Sequence, residues 1–195
     1  MEGEHRPDGT GCGAVAPVAT GVIEVERGID VAIDVDPVVT GTVGTIDTNR
    51  WRDLATVVLA DLGVRTPAEL AIRFVTPDTI GDLNGRYMGR SAPTDVLSFP
   101  LDGLGYRSPA PADPAPITMV GDVVVCPEVA MANAADHAGS LDAELALLLV
   151  HALLHLVGHD HAEADERTVM WAEERRLLRE HFGPLPRDPW NREPS

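Results

Sequence analysis

Three histidines within eleven residues carry the chemistry of this chain: His151-Ala-Leu-Leu-His155-Leu-Val-Gly158-His159-Asp160-His161. Residues four apart on a helix project from one face, because four residues advance about 400°, barely past a full turn. The imidazoles of His151 and His155 can therefore share one cation. Gly158 is suited to the left-handed residue that ends a helix, so the chain can double back and bring a third histidine to the same point. The glycine is expected to break the helix, which makes His161 the third ligand and leaves His159 at the rim with Asp160. An unbroken helix would instead place His159 in the row. Three nitrogens leave a tetrahedral cation with one open position, the arrangement of a catalytic rather than a structural zinc. One zinc per chain is the expected cofactor.

The elements that must hold these ligands are legible in the flanking sequence. Residues 141–157 are apolar on nearly every side, which predicts a buried helix. Burying His151 and His155 without partners would be costly. Glu144, two turns before His151 and on its face, is a candidate partner behind the ligands, with a solvated or N-terminal helix charge as the alternative. Upstream, 22–26 and 31–35 are strand candidates, while 36–46 has no clear period. A helix is expected over 51–62, stopped by Gly63, then a strand over 69–75 and a short helix over 79–87 capped by Asp78. A loop leads to a strand at 95–100. The proline- and glycine-rich stretch 102–118 reads as an exposed excursion, and 119–126 as a buried strand. Helices are expected from Pro127 to about Ala138, through the histidine segment, and over 163–181, the last with its charges on a solvated face. The order predicts an α+β domain over 21–183, a small mixed β-sheet covered by helices with the metal site at the end of a buried helix. Residues 1–20 are expected to be a mobile tail and 184–195 a frayed one.

Composition narrows the classes. At 195 residues with a formal charge of −16, the chain can build one substantial core, and its charge disfavours indiscriminate nucleic-acid binding. Cys12 and Cys126 read as reduced thiols of a cytoplasmic protein rather than a disulfide framework. No run reaches transmembrane length, and no membrane partner is expected. The ligand spacing is also that of zinc peptidases, but those place a general-base glutamate directly after the first histidine. Ala152 stands there, which disfavours a peptidase.

The histidine segment resembles the motif His-Gly-x-Leu-His-Leu-x-Gly-Tyr-Asp-His of the YbeY family of metal-dependent endoribonucleases. Leu83-Asn84-x-x-Tyr87 and Pro93-Thr-Asp95-Val-Leu-Ser-Phe-Pro100 resemble a second block of that family, and Gly121-Asp122 a third. The resemblance runs over roughly residues 22–182. It implies a small α+β fold, one zinc on His151, His155 and His161, and a single-stranded RNA substrate. It also implies a role in small-subunit rRNA maturation and ribosome quality control, with the precursor rRNA and the small subunit as partners. The alternative function is a metal-binding ribosome-assembly factor with little nuclease activity. Three positions depart from the motif: Ala152 for glycine, His159 for tyrosine, and Met88 for an arginine that the resemblance assigns to RNA phosphate. If the loop 88–92 is extended, residues 86, 88 and 90 point to one side. Arg90 is then the expected stand-in for the missing guanidinium.

Overall fold

The computed structural model describes residues 28–101 and 117–191. The tail at 1–20, the strand candidate at 22–26, most of the excursion at 102–118 and the last four residues lie outside them. Ten elements follow in the order β1 (Ile29–Val35), α1 (Pro37–Val43), α2 (Thr48–Asp61), β2 (Ala68–Phe74), α3 (Pro77–Met88), β3 (Val96–Pro100), β4 (Thr118–Val125), α4 (Pro127–Ala134), α5 (Leu141–Leu156) and α6 (Ala164–His181). The four strands form one mixed sheet in the order β1-β2-β4-β3. β1, β2 and β4 run parallel, and β3 returns antiparallel against β4. The fold is thus the α+β class expected, with one helix more than the sequence reading placed.

That helix, α1, occupies the ambiguous stretch after Val35. The Asp36 carboxylate accepts from the Val38 N–H at 2.9 Å and Pro37 opens the first turn. Capping and a pre-set proline φ thus make a helix of β-branched residues that propensity disfavours. The start of α3 also differs from expectation. Thr76, not Asp78, is the N-cap, with Pro77 opening the helix and Asp78 inside its first turn. There its charge still favours the helix dipole.

α5 is the central element. Every residue from Ala143 to Val150 is buried, and the helix packs on β3 and β4 while touching α2, α4 and α6. Leu149, Leu153, Leu154 and Leu156 are fully buried, each worth about 1.5–3 kcal/mol of transfer free energy. Val31, Leu70, Ile72, Val123 and Val125 supply the sheet side of this core. A smaller cluster, Ile80, Leu97, Val124 and Cys126, joins α3 to the antiparallel corner.

Gly121 makes the close approach of β4 to α5 possible. The β2–β4 register slips here, so that Glu69 faces Met119 and Leu70 faces Gly121. Gly121 sits at φ 145°, and a Cβ there would collide with the Phe99 carbonyl oxygen and with the Leu156 side chain at 2.9 Å. Leu156 adjoins His155, so the strain would reach the ligand-bearing turn. Gly121→Ala is expected to destabilise the fold by about 2 kcal/mol or more, the range of overpacking and backbone strain. A urea midpoint equal to that of the parent would contradict this.

α2 and α6 are tied by Asp61. Its carboxylate accepts from Arg176 at 2.7 and 3.0 Å and from His181 at 2.7 Å. The Arg176 guanidinium, then His181, hold the Asp61 carboxyl at about 2, below its ordinary 3.8. A depressed folded pKa contributes stability above the ordinary value that is lost as pH falls through the folded one. The Asp61 carboxyl is therefore expected to titrate near 2 by NMR and to move up toward 3.8 in Arg176→Ala. The clamp's effect on stability should be present at pH 5 and gone by about pH 1. Solvent screening keeps that effect within about 1 kcal/mol. An unmoved titration would remove Arg176 as the cause.

Candidate metal centre

His151 and His155 lie in the last two turns of α5. The helix ends in paired main-chain bonds: the Gly158 N–H donates to the His155 carbonyl at 3.0 Å and the His159 N–H to the Leu154 carbonyl at 3.0 Å. Gly158 takes φ 96°. This is the 5→2 and 6→1 pairing of a Schellman end, with glycine at its left-handed residue. The chain then turns back, and one ring nitrogen from each of His151, His155 and His161 falls within 4.8 Å of the others. Ring centroids lie 4.7 to 5.3 Å apart. The histidine after the glycine is not in the cluster. His159 instead contributes its carbonyl oxygen, which accepts from His155 Nδ1–H at 2.9 Å.

The donor set fits a cation. A carbonyl can only accept, so the His155 proton sits on Nδ1. His151 Nδ1 likewise faces Glu174 Oε1 at 2.7 Å and donates to it. With both rings neutral each Nε2 carries a lone pair, and the two face each other at 3.2 Å. Two acceptors aimed at one point repel unless something positive stands between them. Burial, and then the neighbouring His151 and His161, push the His155 pKa below its ordinary 6.5, which favours the neutral form a metal needs.

The partner behind His151 is Glu174 of α6, not Glu144. Glu174 is 2% exposed, and its second oxygen accepts from Trp190 Nε1–H at 2.6 Å. Residues 184–191, expected to begin a frayed tail, are thus held through Trp190 to the back of the metal centre. Glu144 is fully buried and its two oxygens are committed to His137 Nδ1 at 2.7 Å and the Ala138 N–H at 3.1 Å. Two helical turns, roughly 10 Å, separate it from His151. The reading of α6 as a solvated charged face fails at Glu174, one carboxylate inside the run Glu173-Glu174-Arg175-Arg176. What sequence offered was Trp190, a lone aromatic in the Pro-rich tail.

Asp160 is exposed and accepts from the His161 N–H at 2.7 Å. That bond lowers its pKa from the ordinary value and ties down the loop that carries His161. Arg90 is exposed, but the loop around it does not meet the condition of being extended throughout. Met88 is the last residue of α3, and Gly89 follows in the left-handed region at φ 68°. The Arg90 N–H donates to the Asn84 carbonyl at 3.3 Å, while Asn84 Nδ2–H donates to the Ala92 carbonyl at 2.8 Å. Residues 86, 88 and 90 therefore do not share a side as on a strand. Cys126 is a free, buried thiol whose pKa burial raises, which makes it a packing residue. A second group, Asp61, Glu180 and His181, also meets metal-ligand spacing. The Arg176 guanidinium already bridges Asp61 and Glu180, so that cluster holds its cation.

A family model described as Endoribonuclease YbeY matches residues 41–181. The chain belongs to the YbeY family. Proteins named Endoribonuclease YbeY from Frankia casuarinae and Beutenbergia cavernae are each 46% identical to it, over 134 and 135 residues. The alignments cover 68% and 69% of this chain and 67% and 88% of those relatives. The YbeY protein of Salinispora tropica is 43% identical over 139 residues, covering 68% and 87% of the two chains. The solution structure of a Thermotoga maritima protein superposes with a TM-score of 0.51 at 23% identity, over 79% of this chain and 90% of that one. That likeness speaks to the fold alone. Among the described residues no helix is long and apolar enough to cross a membrane.

Proposed function

We propose that residues 21–183 form a zinc-dependent endoribonuclease domain that cleaves single-stranded RNA in the cytoplasm. Its assigned task is small-subunit rRNA maturation and ribosome quality control, with precursor rRNA and the small subunit as partners. The observation that carries this reading is the pair of Nε2 lone pairs of His151 and His155, converging with His161. When bound there, zinc supplies Lewis acidity that activates water and neutralises charge developing on a phosphoryl oxygen. The chain's own residues do the positioning. Glu174 and the His159 carbonyl fix which nitrogen of each ligand is free, and Gly158 delivers His161. Ala152 follows His151, so the chain itself supplies no general base at that position.

Arg90 is assigned to the RNA phosphate. Its exposed guanidinium follows the left-handed Gly89, and a forked donor suits phosphate better than the Met88 thioether. Arg90→Ala is expected to lower RNA cleavage at least about tenfold, about 1.4 kcal/mol of transition-state stabilisation, with zinc content unchanged. Met88→Arg should raise it. Arg73→Ala, on an exposed position of β2, is a better charge control than Arg176, which braces Asp61. Equal rates in Arg90→Ala and the control would remove Arg90. One observation favours a second reading, an assembly factor with little nuclease activity: α3 ends at a half-exposed Met88 (49%), the position to which the motif resemblance assigns an arginine. Purified protein assayed on single-stranded RNA, with His155→Ala as the blank, separates the two. Cleavage no faster than the blank would favour the assembly factor.

A further inference from the structure

A chain of net charge −16 gains little from the counterion release that usually dominates nucleic-acid affinity. A single strand must then be gripped largely by uncharged contacts, of which stacking of bases on aromatic side chains is the most effective. Of the three tryptophans, Trp51 is in the core. Trp171 and Trp190 are half-buried and line one cleft of about 240 Å³ between α5, α6, the start of β3 and the C-terminal segment. His151 lines the same cleft, so it shares a wall with the metal centre. Its size falls below the roughly 300 Å³ at which pockets for drug-sized molecules begin, which suits one ring system rather than a whole nucleotide.

The walls have the chemistry of a base site. Arg167 stands 5.8 Å over the Trp171 ring and Arg175 4.7 Å over the Trp190 ring. An indole has two faces, and with a guanidinium on one the other can take a base. The Trp190 plane is fixed by its bond to Glu174. The polar groups left over are acceptors. Asp95 Oδ1 accepts from the Val96 N–H at 2.9 Å and from Thr94 Oγ1 at 3.2 Å, whereas among the described residues Oδ2 has only a long contact to Asn133 Nδ2 at 3.4 Å. His137 commits Nδ1–H to the buried Glu144, so in the neutral form of the ring Nε2 is an acceptor.

We propose that this cleft is a nucleobase subsite beside the metal centre, where one base of the strand stacks on Trp171 and Trp190 and donates an amino hydrogen to Asp95. The inference rests on the ribonuclease reading for its substrate. Adenine, cytosine and guanine each carry an exocyclic amino donor. Uracil flanks its single N–H with two carbonyls, which would face the Asp95 carboxylate acceptor to acceptor. The subsite therefore selects amino-bearing bases and rejects uracil.

Nucleoside monophosphates are the probes, since an endonuclease has no internucleotide bond to cut in them. Titrating AMP, CMP and UMP into the zinc-loaded protein should quench tryptophan fluorescence, with UMP at least fivefold weaker than AMP. Trp171→Ala should weaken AMP binding at least tenfold and raise KM for single-stranded RNA by a similar factor, while kcat and zinc content stay put. Trp171→Phe should recover most of both. Asp95→Asn keeps the Oδ1 acceptor for Val96 and turns a donor toward the cleft, so the AMP preference should collapse or invert. A Trp171→Ala protein that binds AMP like the parent overturns the subsite. AMP and UMP binding alike in the parent overturns the assignment of Asp95. A parent that binds AMP through Trp171 yet leaves RNA uncut would keep the subsite and remove the nuclease reading.

Discussion

His155→Ala and His151→Ala proteins are expected to emerge from purification with less than a tenth of the zinc of the parent, which should hold about one ion per chain. The reasoning starts from the lone pairs. His151 and His155 point Nε2 at each other across 3.2 Å, and among the described residues only His161 stands near enough to complete the set. Deleting either helical ligand leaves two nitrogens, and a catalytic site already keeps one of four positions open. The deletion also strands a second-sphere group. In His151→Ala the Glu174 oxygen that faces Nδ1 at 2.7 Å loses its donor inside the protein, a loss of about 1–3 kcal/mol on its own. His161→Ala should weaken zinc far more than His159→Ala, because His159 serves through its carbonyl. Zinc should also raise the thermal midpoint of the parent, since a ligand at a thousand times its Kd adds about 4 kcal/mol to the folded state. Metal analysis and melting with and without chelator read these out together. Full zinc in both alanine proteins would end the three-histidine centre, whatever the activity.

How much of this was legible in the sequence depended on the range of the forces. α5 is read from a window of seventeen residues, because its burial is written in consecutive leucines and its end in one glycine. The ligand geometry is local too, and the turn at Gly158 that delivers His161 is set by main-chain bonds within six residues. α1 was missed because Pro-Val-Val-Thr-Gly-Thr-Val has no helical apolar period. Its only signal was the Asp36-Pro37 pair, a cap followed by a proline at the first helical position. The start of α3 was misread for the same kind of reason: Asp78 is a good cap by type, but Pro77 before it needs the first helical position, which hands the cap to Thr76. For the loop after α3, Pro93 biases only Ala92 toward an extended conformation, and that rule says nothing about Gly89, three residues earlier. Glu144 was placed on the correct face of α5 but too far along it. Helical phase fixes direction, and only tertiary packing fixes which carboxylate arrives. That packing brings α6 across twenty-three residues of sequence, and no periodicity within α6 marks Glu174 apart from the carboxylates around it.

Glu174 therefore carries the second large expected effect: Glu174→Ala should lower zinc affinity by about 10- to 100-fold, the usual consequence of removing the group that orients a ligating histidine. The carboxylate does two things at once. Oε1 accepts from His151 Nδ1–H and holds the ring so that Nε2 faces the cation, and its charge raises the basicity of that nitrogen. Oε2 accepts from Trp190 Nε1–H at 2.6 Å, tying residues 184–191 to the same helix. Glu174→Gln separates the roles. The amide oxygen can still accept from His151, but the amide nitrogen then meets the indole N–H donor to donor, and the negative charge is gone. Zinc affinity in Glu174→Gln should fall between the parent and Glu174→Ala. Trp190→Phe keeps the charge and removes only the indole donor, leaving a buried carboxylate oxygen unsatisfied at about 1–3 kcal/mol. It should lower the melting temperature while costing less zinc affinity than Glu174→Ala. Competition with a chromophoric chelator gives the affinities, and cobalt substitution gives a ligand-field spectrum that shifts if His151 swings away. Zinc affinity and cobalt spectrum both unchanged in Glu174→Ala would show that α5 alone orients its histidines, and Glu174 would then be a packing residue.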